Sequence, residues 1–251
     1  MLESVETVTN RLSGVLQRLL NDVLAQSSSK QSLEFGDEQE HLNMLGQSFP
    51  AGAIACLIPG PKKLIICLKQ LSSIKENDEM EIAHELGHVY LIYNNYPCLQ
   101  RDPDSSRQEA IDICFSPLFD IAQHAIFYPW LKLKYNFDLY IMGNQRLCEF
   151  IKTNLPEIKI NSEGDSVSLI LYYLKYNVEA DDKYWQDRMH KAYSKTTLLP
   201  LREMAEKVLP VIQELAINPL DTQYFIEKYR EILRAMNIKQ EIWPDFVIQN
   251  S

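Results

Sequence analysis

The chain has 251 residues, of which 46% are apolar and 24% charged, and a formal net charge of −9. That composition supports a sizeable core, in one large domain or in a compact core with a helical appendage. The acidic balance argues against nucleic acid and anionic membranes as partners. No stretch presents the roughly 20 consecutive apolar residues that a bilayer span requires.

The first residues, Met1-Leu2-Glu3-Ser4-Val5-Glu6, are acidic where a secretory signal would be basic. The five cysteines (Cys56, Cys67, Cys98, Cys114 and Cys148) form no CxxC pair. An odd number without metal spacing predicts reduced thiols and a cytoplasmic protein.

In chain order, Val5, Val8, Leu12, Val15, Leu16, Leu19, Leu20, Val23 and Leu24 repeat at helical spacing, which predicts one amphipathic helix over 3–26 that packs on the core. The serine-rich run 26–32 reads as a loop. Two apolar, β-rich runs, 53–58 and 64–69, flank Pro59-Gly60-Pro61 and predict paired strands. Residues 77–93 read as a helix with Asn77 or Asp78 as cap, Glu79 and Glu81 in its first turn, and Asn94-Asn95-Tyr96-Pro97 as its stop. After a loop over 101–106, Ser105 or Ser106 can cap a second helix to about Phe127, which Pro117 should kink or split. Helices are expected over 143–154, 165–177, 180–194, 199–216 and 220–236, with turns such as Asn218-Pro219 between them. The dense aromatics there read as core, and Trp243-Pro244-Asp245-Phe246 as a tail docked on the body.

One motif carries chemistry. His84 and His88 are four residues apart on the 77–93 helix, so their imidazoles share a face and can bind one Zn²⁺. Glu85 stands beside the first ligand, placed to take a proton from an attacking water. With five histidines in the chain, His84-Glu85-Leu86-Gly87-His88 is an uncommon coincidence, although the bland reading is an exposed helix with two incidental histidines.

A catalytic zinc needs a third protein ligand and an open position. Glu109 lies 21 residues beyond His88, room for a loop and an antiparallel return, and a His/His/Glu set is a known zinc geometry. It could equally be a solvated first-turn acid. Asp112, Asp102, Asp104 and His124 are the rivals. Asp112 suits a carboxylate that orients a zinc-bound histidine, and His124 a third ligand or a transition-state donor. Tyr128, Tyr172, Tyr173 and His190 are oxyanion candidates that spacing does not separate.

Together with Gln108-Glu109-Ala110 downstream, the pentad resembles the compact gluzincins, the ImmA/IrrE family above all, over about residues 50–130. The resemblance implies a zincin-like metallopeptidase core with His84, His88 and Glu109 as ligands and Glu85 as general base. It also implies that strand 64–69 is a sheet edge that pairs with extended substrate. The expectation is therefore an α+β fold: a small antiparallel or mixed sheet packed on the motif helices, with a mainly helical C-terminal region. The core and N-terminal helix would occupy 1–135, and helices completing the cleft 136–251, or the two form one continuous domain. The expected activity is zinc-dependent hydrolysis of a polypeptide, under the control of a regulatory partner. The alternative is a non-catalytic interaction or sensor protein with an occluded zinc site.

Overall fold

A computed structural model of the chain describes residues 2–27, 31–49, 53–60, 62–75, 78–100, 105–155, 160, 162–195, 197–217 and 221–248. The fold is α+β. It divides into two compact units: Met1–Tyr96 with Trp130–Asp138 and Ile248–Ser251, and Pro97–Pro129 with Leu139–Val247.

The first unit is built around a four-stranded sheet in the order β1 (Glu3–Ser4), β2 (Ser32–Asp37), β4 (Lys63–Leu68), β3 (Ala55–Pro59). Strand β4 is antiparallel to β3 and parallel to β2, with Leu33 opposite Leu64 and Leu57 opposite Ile66. All of Leu64, Ile65, Ile66, Cys67 and Leu68 are buried, the signature of a strand covered on both faces. Helix α2 (Gly14–Ala25) buries Leu16, Leu19, Leu20 and Val23 and packs on α4 (Asp78–Tyr93), which also packs on β3. A separate cluster of Phe49, Ile58, Ile65 and Cys67 lies beside α3 (Glu38–Leu45).

Three expectations change here. The single helix over 3–26 is β1, then α1 (Val5–Thr9), a turn, and α2. The Ser13 hydroxyl accepts from the Leu16 N–H and restarts the helix, so a cap interrupts a continuous apolar period. The loop over 26–32 gives way at Ser32 to β2. Because β2 occupies the far side of β4, strand 64–69 lies inside the sheet and cannot take on a substrate strand; β3 is the edge.

Helix α4 ends where expected. Asn95 adopts φ 61°, the Tyr96 N–H reaches back to the Leu91 carbonyl at 3.0 Å, and the Asn95 N–H bonds Ile92 at 3.0 Å. The Asn77 cap lies outside the described residues.

The second unit is helical. It begins with β5 (Pro97–Leu99) and α5 (Ser105–Ala110). A π-helical turn over Ile111–Phe115 then leads into α6 (Ser116–Tyr135), whose last turns belong to the first unit. Pro117 therefore does not split the helix. It follows a π turn, a widened turn that absorbs the changed hydrogen-bond register. The resulting helix, 108–135, is long and apolar enough to cross a bilayer, which the sequence reading did not anticipate, yet 56% of its apolar window is buried inside the protein.

The remaining helices are α7 (Tyr140–Glu149) with a second π turn over Phe150–Asn154, α8 (Glu163–Glu179), α9 (Lys183–Tyr193), α10 (Leu199–Glu214) and α11 (Thr222–Ala235). Each of the five predicted C-terminal segments is a helix. Ser162 and Asp165 form a capping box on α8, while Asp182 and Asp221 cap α9 and α11. The turn at Asn218-Pro219 lies outside the described residues. The tail docks as β6 (Phe246–Ile248) on β5, with the Phe246 ring edge-on to Tyr229 at 5.5 Å.

Candidate metal centre

Helix α4 has two faces with different work. Ile82, Ala83, Leu86 and Val89 are fully buried and lock the helix onto the core. His84 and His88, one turn apart, are half-buried on another face, and Glu85 between them is only 8% exposed. Acidic first-turn residues Asp78, Glu79 and Glu81 complement the helix dipole, and the Glu79 carboxylate accepts from the Ser13 N–H at 2.7 Å. The helix is thus tied to the turn that precedes α2.

The two Nε2 atoms stand 3.2 Å apart, with ring centroids 4.9 Å apart at 73°. Two imidazole nitrogens at about 2.0–2.1 Å from a tetrahedral zinc would stand about 3.3 Å apart. The pair therefore fits a shared metal with little adjustment.

His124, a rival for the third position, belongs to the second unit. His124 is buried on α6, stacked on Tyr128 at 4.9 Å, and its Nδ1 is 2.7 Å from Glu179 Oε1. Six residues further along the same helix, Trp130 stacks on Tyr90 of α4 at 4.2 Å and 18°.

The other candidate residues also belong to the second unit. Glu109 is exposed on α5. Asp112 is exposed in the π turn, where its Oδ1 accepts from Gln108 Nε2 at 2.7 Å. Asp102 and Asp104 lie outside the described residues. Tyr172 is 42% exposed, and Tyr128 is buried under His124. Tyr173 lies 2.5 Å from His190 Nδ1 and donates to Glu206 at 3.1 Å, so these two candidates are engaged with each other.

Sequence reasoning missed Glu179. Its one signal was an acid three residues after the buried Tyr176, where the stripe on α8 calls for an apolar side chain.

No family model, no curated protein and no solved structure matches this chain.

The arrangement limits the chemistry on offer. All five cysteines are free, and burial pushes the Cys98 and Cys114 thiols up to about 11, which makes them poor nucleophiles. The imidazole group with a buried carboxylate beside it is the arrangement that can hold a metal and move a proton.

Proposed function

We propose that this chain is a zinc-dependent metallopeptidase. The observation that carries the reading is the His84/His88 pair at 3.2 Å on α4, with Glu85, the residue after His84, buried. A catalytic zinc would take a third protein ligand, for which Glu109 is the residue that spacing and the resemblance favour and His124 its rival, and would keep an open fourth position. Zinc so held would supply Lewis acidity, lowering the pKa of a water and drawing charge from the scissile carbonyl.

The chain's own groups do the rest. Glu85 takes the proton of the attacking water on its carboxylate and returns it to the leaving amine. Its burial keeps bulk water from competing for that proton. Substrate is a polypeptide held extended along β3. The bonds Lys69 N–H to Ile54 O and Gly60 N–H to Lys63 O fix which residues face β4. By alternation, Ala55 and Leu57 turn their backbone groups toward the sheet edge, where a peptide strand can pair with them. The likeness of the pentad to the ImmA/IrrE family supports an intracellular, regulatory role under a protein partner.

Zinc analysis of the purified protein with a casein digestion assay tests the reading. We expect about one zinc per chain, digestion that stops with a chelator and returns with zinc, and retained metal without digestion in Glu85→Gln. The loss in that variant should be about 10²–10⁴-fold, the usual contribution of a general base. A metal-free parent, or digestion undiminished in Glu85→Gln, defeats it.

A further inference from the structure

We propose that Cys56 and Cys67 are a redox modification site: two thiols on adjacent strands that close reversibly into a disulfide when a small-molecule disulfide, oxidised glutathione, is in excess. Both residues belong to the first unit. The inference goes beyond the peptidase reading and depends neither on it nor on a metal.

The register sets the geometry. Cys56 on β3 stands directly opposite Cys67 on β4. The bonds Gly60 N–H to Lys63 O and Lys69 N–H to Ile54 O fix the alternation, which makes Cys56 and Cys67 a hydrogen-bonded pair. Residues so paired have Cα atoms about 5.5 Å apart, inside the span of about 4.4–6.8 Å that disulfides use. Opposed residues share a face of the sheet, and the two thiols hydrogen-bond to each other. Gly36, the partner of Cys67 on β2, has no side chain; a Cβ there would stand 3.1 Å from the Cys67 sulfur, so glycine leaves that sulfur room to turn. Cys67 packs with Phe49, Ile58 and Ile65, and Cys56 lies at the margin of the same cluster. One buried cysteine is an ordinary small apolar residue. Two in register, sulfur toward sulfur, are what oxidation to a disulfide requires.

The two sulfurs have different roles. Cys56 is half-buried and Cys67 wholly buried, so the outside disulfide meets Cys56. The Cys56 sulfur bonds to one sulfur of oxidised glutathione, whose S–S bond breaks, and the first glutathione leaves with the Cys56 proton. The Cys67 sulfur then displaces the second glutathione from Cys56, and that glutathione leaves with the Cys67 proton. Two protein thiols are oxidised, and one glutathione disulfide is reduced to two thiols. The hydrogen bond to Cys67, with burial, pushes the Cys56 thiol up, which makes entry the slow step. Closure is intramolecular between neighbours, so the mixed disulfide does not accumulate. Closing the bond draws the two Cβ atoms together by about 1–2 Å from their spacing in the sheet. Strand β3 can give, because it is the edge and pairs only with β4 among the described residues. A bond closed under such strain is readily reduced, which places it with reversible disulfides and not with structural ones.

The test is oxidation of the full-length protein with oxidised glutathione, followed by alkylation of the remaining thiols, tryptic digestion and mass spectrometry. Cleavage after Lys62 and Lys63 separates the two cysteines, so a bond between them reads as a linked pair of peptides. We expect that pair as the main product, in a chain lighter by two hydrogen atoms, and its return to the dithiol in excess reduced glutathione. In Cys67→Ala the reaction should stop with glutathione on Cys56. In Cys56→Ala, Cys67 should stay unmodified until the protein is unfolded. Glutathione accumulating on Cys56 of the parent, Cys56 joined to a different cysteine, or no reaction at all overturns the proposal. A Cys56–Cys67 bond that excess reduced glutathione does not open overturns it too, since the pair would then be a fixed staple. Should either variant fail to fold, the peptide map of the parent decides.

Discussion

The two long helices that bear the candidate ligands reach their positions by opposite routes. Helix α4 is regular. Both histidines come from one i, i+4 step, the buried face is contiguous, and Asn95 closes the helix with a left-handed residue at φ 61°. The helix over 105–135 is irregular, with a π turn at Ile111–Phe115, Pro117 just beyond it and Pro129 inside it. A π turn carries one extra residue, which rotates everything after it by about 100° relative to an unbroken α-helix. The side chains before the turn, Glu109 among them, therefore do not share a face with those after it at the usual spacing. Local periodicity locates ligands on a regular helix, and a widened turn undoes that arithmetic.

The sharpest way to break this comparison is to remove one residue from each side of the π turn. Of His124→Ala and Glu109→Ala, the one that deletes the third ligand should weaken zinc binding by at least about 100-fold, a larger loss than that of an outer partner, and the other should leave affinity within about twofold. Chelator competition on the two variants measures both. A loss confined to Glu109→Ala would place the third ligand on α5, the position that spacing and the gluzincin resemblance favour. Loss of digestion with full zinc retention in His124→Ala would make that residue a transition-state donor instead.

The same contrast explains what could be read from the sequence. The 77–93 helix, the 53–58 and 64–69 strand pair and all five C-terminal helices were legible because each is specified by its own period and punctuation. Strand β2 was not, because a serine-rich run hid its start and its partner β4 is parallel, reached through α3 and β3 rather than a tight turn. That missing strand is also why β4 was placed at an edge. The break at Ser13 was legible in principle, since Ser13-Gly14 is helix punctuation inside an apolar stripe. At the candidate metal centre the α4 residues could be read from one pentad. The His124–Glu179 pair could not, because it joins positions 55 apart in sequence and depends on burial, which no local pattern encodes.

Glycines give the next largest effect and test whether α7 and α8 are pressed together as tightly as the Glu179 geometry requires. Gly143→Ala adds a methyl group 1.7 Å from the Glu179 carbonyl oxygen, so the helices must separate. Overpacking of this kind costs about 1–3 kcal/mol, which should lower the melting temperature by about 2–10 °C. The control lies in the first unit. Gly14 opens α2 with nothing within 4 Å of its would-be Cβ, so Gly14→Ala should be neutral or slightly stabilising. Equal melting temperatures for the two variants would mean that α7 yields freely, and Glu179 would then be less firmly placed than its contacts indicate.

The smallest effect concerns His190, half-buried in the helical unit. Burial, with the nearby Arg202 charge, holds the His190 imidazole below its ordinary value of 6.5. The unfolded chain therefore binds a proton at this site more readily than the folded one. His190 thus contributes stability that is present above about pH 6.5 and is lost as the pH falls from there toward its folded value. Urea unfolding of the chelator-treated protein between about pH 7.5 and pH 5.5, across that window, should show stability declining with acidification. His190→Gln should flatten part of that slope. Parallel slopes in parent and variant would show that His190 is protonated as easily in the folded chain as in the unfolded one. Its pairing with Tyr173 would then not depend on a neutral ring.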